Sequence, residues 1–218
     1  MKKKSLKNSS MWNVKPTKVS ILVPTRDMVH THFAYSLTQL VKTTSEAGID
    51  VYLFFDSSTI LLNQRERLIE EAIKIDSDYV MWLDSDMMFP SNTILRLLNH
   101  NKDIVACNYM KRSLPMKTVA YTDLNDWDSW VPLEVFDDLV KVQGVGMGCM
   151  LMKTDVFKKL EKPYFEFRYK EDTKDWYGED FILQDKLIKQ GFDINIDTLL
   201  SIDIKHVGIY AFGTKSDS

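Results

Sequence analysis

Tyr79-Val80-Met81-Trp82-Leu83-Asp84-Ser85-Asp86-Met87-Met88-Phe89-Pro90 sets five apolar or aromatic residues directly against two carboxylates, with a second apolar run following at once. The lead-in is too short for a helix of its own and has the composition of a buried strand. Asp84 therefore stands at the strand's carboxyl end, where open α/β sheets bind ligands. Two carboxylates so close repel each other unless a cation neutralises them. If the extended backbone continues past Leu83, Asp84 and Asp86 face one side and Ser85 the other. Oxygen donors of this kind suit Mg²⁺ or Mn²⁺. An isolated Asp-x-Asp is more often a solvated turn that caps the next helix. Here the apolar residues on both sides put the pair at the edge of a core.

Upstream, Val19-Ser20-Ile21-Leu22-Val23 before Pro24 reads as a buried strand. Phe33, Leu37, Leu40 and Val41 recur at helical spacing, and Gly48 stands where that helix stops. Ile49 to Phe55 is a second apolar strand, closed by the polar Asp56-Ser57-Ser58. Leu61, Leu68, Ala72, Ile73 and Ile75 mark a second helix. Downstream, Pro90-Ser91 opens a helix carrying Ile94, Leu95, Leu97 and Leu98, and Asp103 to Cys107 is a fourth strand. This alternation predicts an α/β fold with a mostly parallel central sheet flanked by helices. Beyond about Lys111 the rhythm breaks. Met110 to Asp138, rich in Pro, Asp and Trp, reads as irregular structure with short strands. Val145 to Met152 is apolar, Thr154 starts a short helix, and Glu179 to Gln190 is a helix closed by Gly191. Phe192 to Ile196 and Ser201 to Ile204 read as strands, so the C-terminal half is expected to be α+β.

The chain has 218 residues, 44% of them hydrophobic, enough for one globular domain with a sizeable core. A net charge of -3 excludes a general nucleic-acid coat. Residues 1–18 hold six lysines and no acid, and are expected to form a basic flexible tail, solvated or in weak contact with an acidic membrane or polymer. Residues 211–218 are a C-terminal tail. Cys107 and Cys149 form neither a disulfide framework nor a zinc pattern, and read as small core residues. The tail lacks the apolar stretch of a signal peptide, and the longest apolar runs are too short to cross a bilayer. A reducing, cytoplasmic compartment is the expectation.

Several segments together resemble a known family. Tyr79 to Pro90 is similar to the Asp-x-Asp segment of GT-A glycosyltransferases, particularly family-2-like and phage-encoded ones. Val23-Pro24-Thr25-Arg26-Asp27 resembles the first-strand loop that meets the nucleotide, and Asp56 the second-strand acid that contacts base or ribose. Asn63-Gln64-Arg65-Glu66-Arg67 resembles the helix start that approaches nucleotide and phosphates. Gly178-Glu179-Asp180 resembles the acidic pair that holds the acceptor and supplies the base, and His206-Val207-Gly208 the late histidine that adds a metal ligand. The pieces keep the family's order from Val19 to Gly208.

The resemblance implies a GT-A, Rossmann-like domain over 19–210, with a nucleotide-sugar half over 19–110 and an acceptor half over 111–210. It implies a nucleoside-diphosphate-sugar donor, UDP favoured over GDP, and Mn²⁺ or Mg²⁺ held by Asp84, Asp86 and His206. Asp84 would touch the ribose or the metal's water shell, and Asp86 would ligate the metal. Pro24, Thr25, Arg26, Asp56, Asn63, Arg65, Asp84 and Ser85 are the implied donor contacts. Asp180 is the implied base and Glu179 its acceptor-binding partner. The acceptor is a hydroxyl on a glycan, lipid-linked sugar, protein or modified DNA base, the last disfavoured by the acidic body. A microbial or phage-infected cell is the implied setting.

The residues bear on this chemistry directly. A helix start favours negative charge, and acids are also ordinary first-turn residues. As a base, one carboxylate takes the acceptor's proton as its oxygen attacks the anomeric carbon. A leaving diphosphate needs cations, and Arg26, Arg65, Arg67, Lys111 and Arg112 are candidates, Arg26 and Arg65 foremost. Arg67 could instead pair with Glu70 or Glu71 along its helix. Trp127, Trp130, Trp176 and Tyr177 suit sugar faces, or anchor loops. Gly144, Gly146 and Gly148 lack the strand-turn-helix setting of a dinucleotide fingerprint and read as places of close backbone approach. His206 follows an alternating run and is placed at a strand end, while His30, His32 and His100 read as structural or exposed.

Two other readings share these features. A nucleotidyltransferase also pairs aspartates on such a sheet, but wants a Gly-rich phosphate loop where Pro24-Thr25-Arg26-Asp27 stands. A non-catalytic nucleotide- or carbohydrate-binding protein has no need of Asp84, Asp86, Asp180 and His206 together. A phosphatase would carry its Asp-x-Asp after the first strand, not the third.

Overall fold

The computed structural model describes residues 16–124, 129–135, 137–171 and 174–208. The tail before residue 16, Trp127 and the 211–218 segment lie outside them. The elements run β1 (Lys18–Pro24), α1 (Thr31–Glu46), β2 (Asp50–Asp56), α2 (Leu61–Lys74), β3 (Tyr79–Leu83), β4 (Met87–Met88), α3 (Thr93–Asn99) and β5 (Ile104–Ala106). Then come β6 (Ala120–Asp123), β7 (Val131–Pro132), β8 (Val140–Val142), β9 (Gly144–Val145), β10 (Cys149–Lys153) and a 3₁₀ helix, Thr154–Lys159. The chain continues with β11 (Arg168–Lys170), β12 (Asp175–Tyr177), α4 (Glu179–Lys189), β13 (Ile194–Ile196), α5 (Thr198–Ser201) and β14 (Lys205–His206).

A seven-stranded sheet, in the order β2-β1-β3-β10-β5-β13-β8, forms the centre. β10 and β8 run against the others. Val19, Ile21, Leu22 and Val23 of β1 and Val80 to Leu83 of β3 are wholly buried, as expected of strands covered on both faces. β2 is an edge strand and leaves Tyr52, Leu53 and Phe55 exposed. Helix α1 buries the stripe Phe33, Leu37 and Leu40, and α2 buries Leu68, Ile69 and Ala72. Gly48 and Gly191, at φ 84° and 88°, end α1 and α4 in the left-handed region that only glycine adopts at no cost.

β10 lies between β3 and the fourth strand, β5, antiparallel to both. Cys149, Met150, Leu151 and Met152 are all buried, so this apolar run needs cover on both faces and takes a central place. Ser201 to Ile204 is not a strand. The Asp197 carboxylate accepts the Leu200 N–H at 2.6 Å and caps the short helix α5, leaving Ile202 exposed and Ile204 buried. The local cap outcompetes a weak period-two pattern.

Candidate active site

The loops after β1, β2 and β3 meet the starts of α2 and α4 around a cleft of about 400 Å³. Pro24, Thr25, Arg26, Arg65, Asp84, Ser85, Asp86, Glu179, Asp180 and His206 all line it, joined by Ser58, Thr59, Leu61, Gln64 and Arg112. Segments far apart in sequence converge here because β1 and β3 are parallel neighbours whose carboxyl ends open on one side.

Strand geometry does not persist beyond Leu83. Residues 84–87 turn, with the Met87 N–H on the Asp84 carbonyl at 3.2 Å and the Asp84 N–H on the Gly148 carbonyl at 3.1 Å. The two carboxylates consequently have different surroundings. Asp84 Oδ1 lies 3.5 Å from Arg65 Nη2. Burial raises the Asp84 carboxyl above the ordinary carboxylate range, against the opposing charge of Arg65. Asp86 Oδ2 lies 2.8 Å from Arg112 Nη1 and 3.3 Å from His206 Nε2. Burial also works to raise Asp86, but its hydrogen bond with His206 and the charges of His206 and Arg112 outweigh this and hold it low.

His206 arrives through a two-stranded ribbon. β14 pairs antiparallel with β4, setting His206 opposite Met87, and the Val207 N–H meets the Asp86 carbonyl at 2.8 Å. The Met110 carbonyl lies 3.1 Å from His206 Nδ1, and a carbonyl can only accept, so Nδ1 carries a proton. In the neutral ring Nε2 is then a lone pair facing a carboxylate, an arrangement that needs a proton or a cation between them. Asp86 accordingly raises the His206 pKa against the lowering effect of burial. Imidazole and carboxylate held in this way fit a divalent cation, with Asp84 beside them. The His, Cys, Asp and Glu group whose donor atoms lie within 4.8 Å of one another, among the described residues, is a different one: His100, Asp138 and Asp197. There Asp197 is already satisfied by the Leu200 N–H, Arg96 and His100, as a buried structural anchor would be.

Arg65 is 3% exposed and wedged between Trp82 and Phe165. Its Nε binds Glu179 Oε1 at 3.1 Å, so it joins the α2 and α4 sides of the cleft. Its Nη1 is buried and has no hydrogen-bond partner among the described residues. Glu179 thus serves Arg65, while Asp180 Oδ1 accepts the Phe181 N–H at 2.9 Å. The Asp180 carboxyl is pushed up to about 7, first by burial and then by the charge of Glu179, with Arg65 pulling the other way. Gly178 makes room for it, since a Cβ there would stand 2.6 Å from Asp180 Oδ1.

Asp180 also lines a second cleft, of about 490 Å³, with Lys111, Trp130, Lys170, Trp176, Tyr177 and Phe181. The Trp130 and Tyr177 rings stack at 6.2 Å and 12°. The 144–148 segment is the place of close approach that its glycines announce. A Cβ on Gly146 or Gly148 would come within 2.6 Å of the Tyr109 hydroxyl, which accepts the Gly148 N–H at 3.0 Å.

Asp56 and Asn63 do not line the cleft that holds Asp84 and Asp86. Both Asp56 oxygens are engaged by Arg67, at 2.6 and 2.9 Å, so Arg67 pairs across to β2 and not with Glu70 or Glu71. Asn63 is exposed on α2, and its neighbour Gln64 turns inward, donating to the Ser58 carbonyl at 2.6 Å and to that of Thr25. Gln184 was likewise missed by sequence reasoning. Its amide pairs with both backbone groups of Val145, at 2.6 and 3.0 Å, and with the Asp180 carbonyl at 2.9 Å. The available signal was a polar side chain on the buried face of each helix. Gln184→Leu leaves two buried backbone groups unpaired, and chemical denaturation is expected to show a loss of about 3 kcal/mol.

The Anp1 family model matches residues 59–135, less than half of the chain. No curated protein sequence matches. A solved structure of A197 from STIV superposes with a TM-score of 0.55 at 14% identity, covering 93% of this chain and 100% of that one. A Drosophila β-1,4-galactosyltransferase 7 mutant, solved with manganese, UDP-Gal and xylobiose, superposes with a TM-score of 0.53 at 13% identity, covering 88% of this chain and 71% of that one. At these identities the likeness establishes the fold: the chain has the GT-A fold on which glycosyltransferases are built.

Proposed function

We propose that the chain is a metal-dependent glycosyltransferase that moves a sugar from a nucleoside-diphosphate donor to an acceptor hydroxyl. The observation that carries this reading is the position of Asp180 between two clefts. One holds Asp84, Asp86, His206 and the loops after β1 and β2, and the other is walled by aromatic rings. In this reading the first takes the donor and the second the acceptor, whose sugar ring stacks on Trp130, Trp176 or Tyr177.

Asp86 and His206 hold the cation, with Asp84 beside them or on the donor ribose. Mn²⁺ or Mg²⁺, when bound, supplies positive charge to the leaving diphosphate. Pro24, Thr25 and Arg26 contact the nucleotide, and Arg26 adds charge at the rim. Arg65 holds Asp84 and Glu179 in place. Asp180 takes the acceptor's proton as the hydroxyl oxygen bonds to the anomeric carbon and the bond from that carbon to the diphosphate breaks. Attack opposite the leaving group inverts the anomeric centre. UDP is the favoured nucleotide, a choice supported by the UDP-Gal bound to the galactosyltransferase of like fold.

The test is to incubate the protein with Mn²⁺ and a panel of nucleotide sugars, with and without glycan acceptors, and to measure free nucleoside diphosphate. Diphosphate release that rises with acceptor is expected. Pyrophosphate release from a nucleoside triphosphate would point to nucleotidyl transfer, and binding without turnover to a non-catalytic protein.

A further inference from the structure

A guanidinium and an imidazole converge on a single oxygen of Asp86. His206 Nε2 and Arg112 Nη1 stand 3.3 and 2.8 Å from Oδ2. The histidine belongs to the set that fits a cation; the guanidinium does not, since arginine has no lone pair to offer a metal. It is nonetheless delivered there by the same pieces of backbone. Met110, two residues earlier, holds the His206 ring through its carbonyl. The loop that follows is closed by a bridge between Met110 and Thr118 and by the Lys111 N–H on the Lys117 carbonyl at 2.7 Å. Gly208, just past β14, lies against the Arg112 stem, and a Cβ there would meet its Cδ at 3.5 Å.

The Arg112 side chain is 51% exposed while Asp86 is 16% exposed. The guanidinium therefore caps a sheltered carboxylate from a solvated stem and can leave at small cost, as half-exposed ion pairs do. It also lines the donor cleft with Thr25, Arg26 and Asp84. A divalent cation and a guanidinium compete for this oxygen, because at contact distance like charges repel strongly. A planar guanidinium displaced from a carboxylate finds its best alternative partner in a diphosphate, which it grips with two parallel hydrogen bonds.

We propose that Arg112 is an internal counter-cation that covers Asp86 until the donor arrives and then passes to the donor's diphosphate, so that metal and nucleotide bind as a pair. The proposal rests on the glycosyltransferase reading above. It makes Arg112 a coupling residue: removing it should open the site to metal alone and weaken the mutual dependence of the two ligands.

The test titrates Mn²⁺ into the full chain with and without UDP, following free Mn²⁺ by electron paramagnetic resonance and UDP binding by calorimetry. In the wild type, UDP is expected to tighten Mn²⁺ binding by about 50-fold. In Arg112→Gln, Mn²⁺ alone should bind about 5-fold tighter, the gain from losing a half-exposed competing ion pair. The enhancement by UDP should fall to about a tenth of its wild-type value, since the displaced partner for the diphosphate is gone. Lys117→Gln removes the same charge from an exposed position on the same loop, and should leave both quantities unchanged. Wild-type Mn²⁺ affinity and full UDP enhancement in Arg112→Gln would overturn the proposal, as would equal shifts in Lys117→Gln, which would make net charge the cause. A wild-type protein that binds neither Mn²⁺ nor UDP would instead sink the glycosyltransferase reading, and this proposal with it.

Discussion

Asp86→Ala is expected to lower kcat/KM by about 10³-fold or more and to abolish the response to added Mn²⁺, because cation stabilisation of a leaving group contributes several kcal/mol. Asp86 is the carboxylate on which His206 and Arg112 converge, whereas Asp84 is directed to Arg65. The fold should survive. The groups lost are partly exposed ion pairs of small net value, and the β4–β14 ribbon beneath is held by backbone hydrogen bonds such as Val207 N–H to the Asp86 carbonyl. Without the carboxylate, the His206 pKa should also fall back, since Asp86 is what raises it against burial. Diphosphate-release assays across a Mn²⁺ titration, with calorimetry for metal affinity, make the comparison. Unchanged metal affinity together with unchanged turnover would remove Asp86 from the site.

Asp180→Asn is expected to cost about 10²- to 10⁴-fold in kcat, the usual contribution of a positioned general base. The pH dependence gives a second readout. Only the ionised carboxylate accepts a proton, and burial beside Glu179 pushes the Asp180 pKa up to about 7. Wild-type activity should therefore climb with pH through about 7 and level off above it, falling tenfold per unit on the acid side. The Asn variant should lose this limb. Stability should move the other way. A carboxyl raised in the folded state is ionised more easily in the unfolded chain, so stability declines as pH rises from 3.8 toward 7. Asp180→Asn removes that decline and should melt higher than wild type above pH 7, while matching it below 3.8. An Asn variant that turns over at the wild-type rate would rule out Asp180 as base.

Much of the cleft around Asp84 and Asp86 is legible in the chain because its signals are local. Apolar runs of strand length end in Pro24, Asp56 and Asp84, and parallel strands separated by helices put such ends on one side of a sheet. Asp84, Asp86, Arg65, Glu179, Asp180 and His206 could be named from their segments, and all line one cleft. Other details were not legible, since they depend on which side chain reaches which across space. Asn63 and Gln64 are adjacent, and only the angle at which α2 meets the sheet turns Gln64 inward and Asn63 out. Asp56 carries the same acidic signal whether it meets a ribose or Arg67, and the helix face opposite decides for Arg67. Gln184 gave no motif at all; its partner Val145 is 39 residues away.

Residues 79–90 by themselves determine a buried strand that ends in two carboxylates, because hydrophobic run length and abrupt polarity are properties of the chain alone. They do not determine what the carboxylates meet. The backbone turns after Leu83, so Asp84 goes to Arg65 while Asp86 goes to His206 and Arg112. Those partners come from α2, from the loop after β5 and from β14, and only the packing of the sheet and its ribbon brings them within reach. Side-chain chemistry is written residue by residue, whereas charge pairing depends on distances of a few ångströms that the folded chain alone sets.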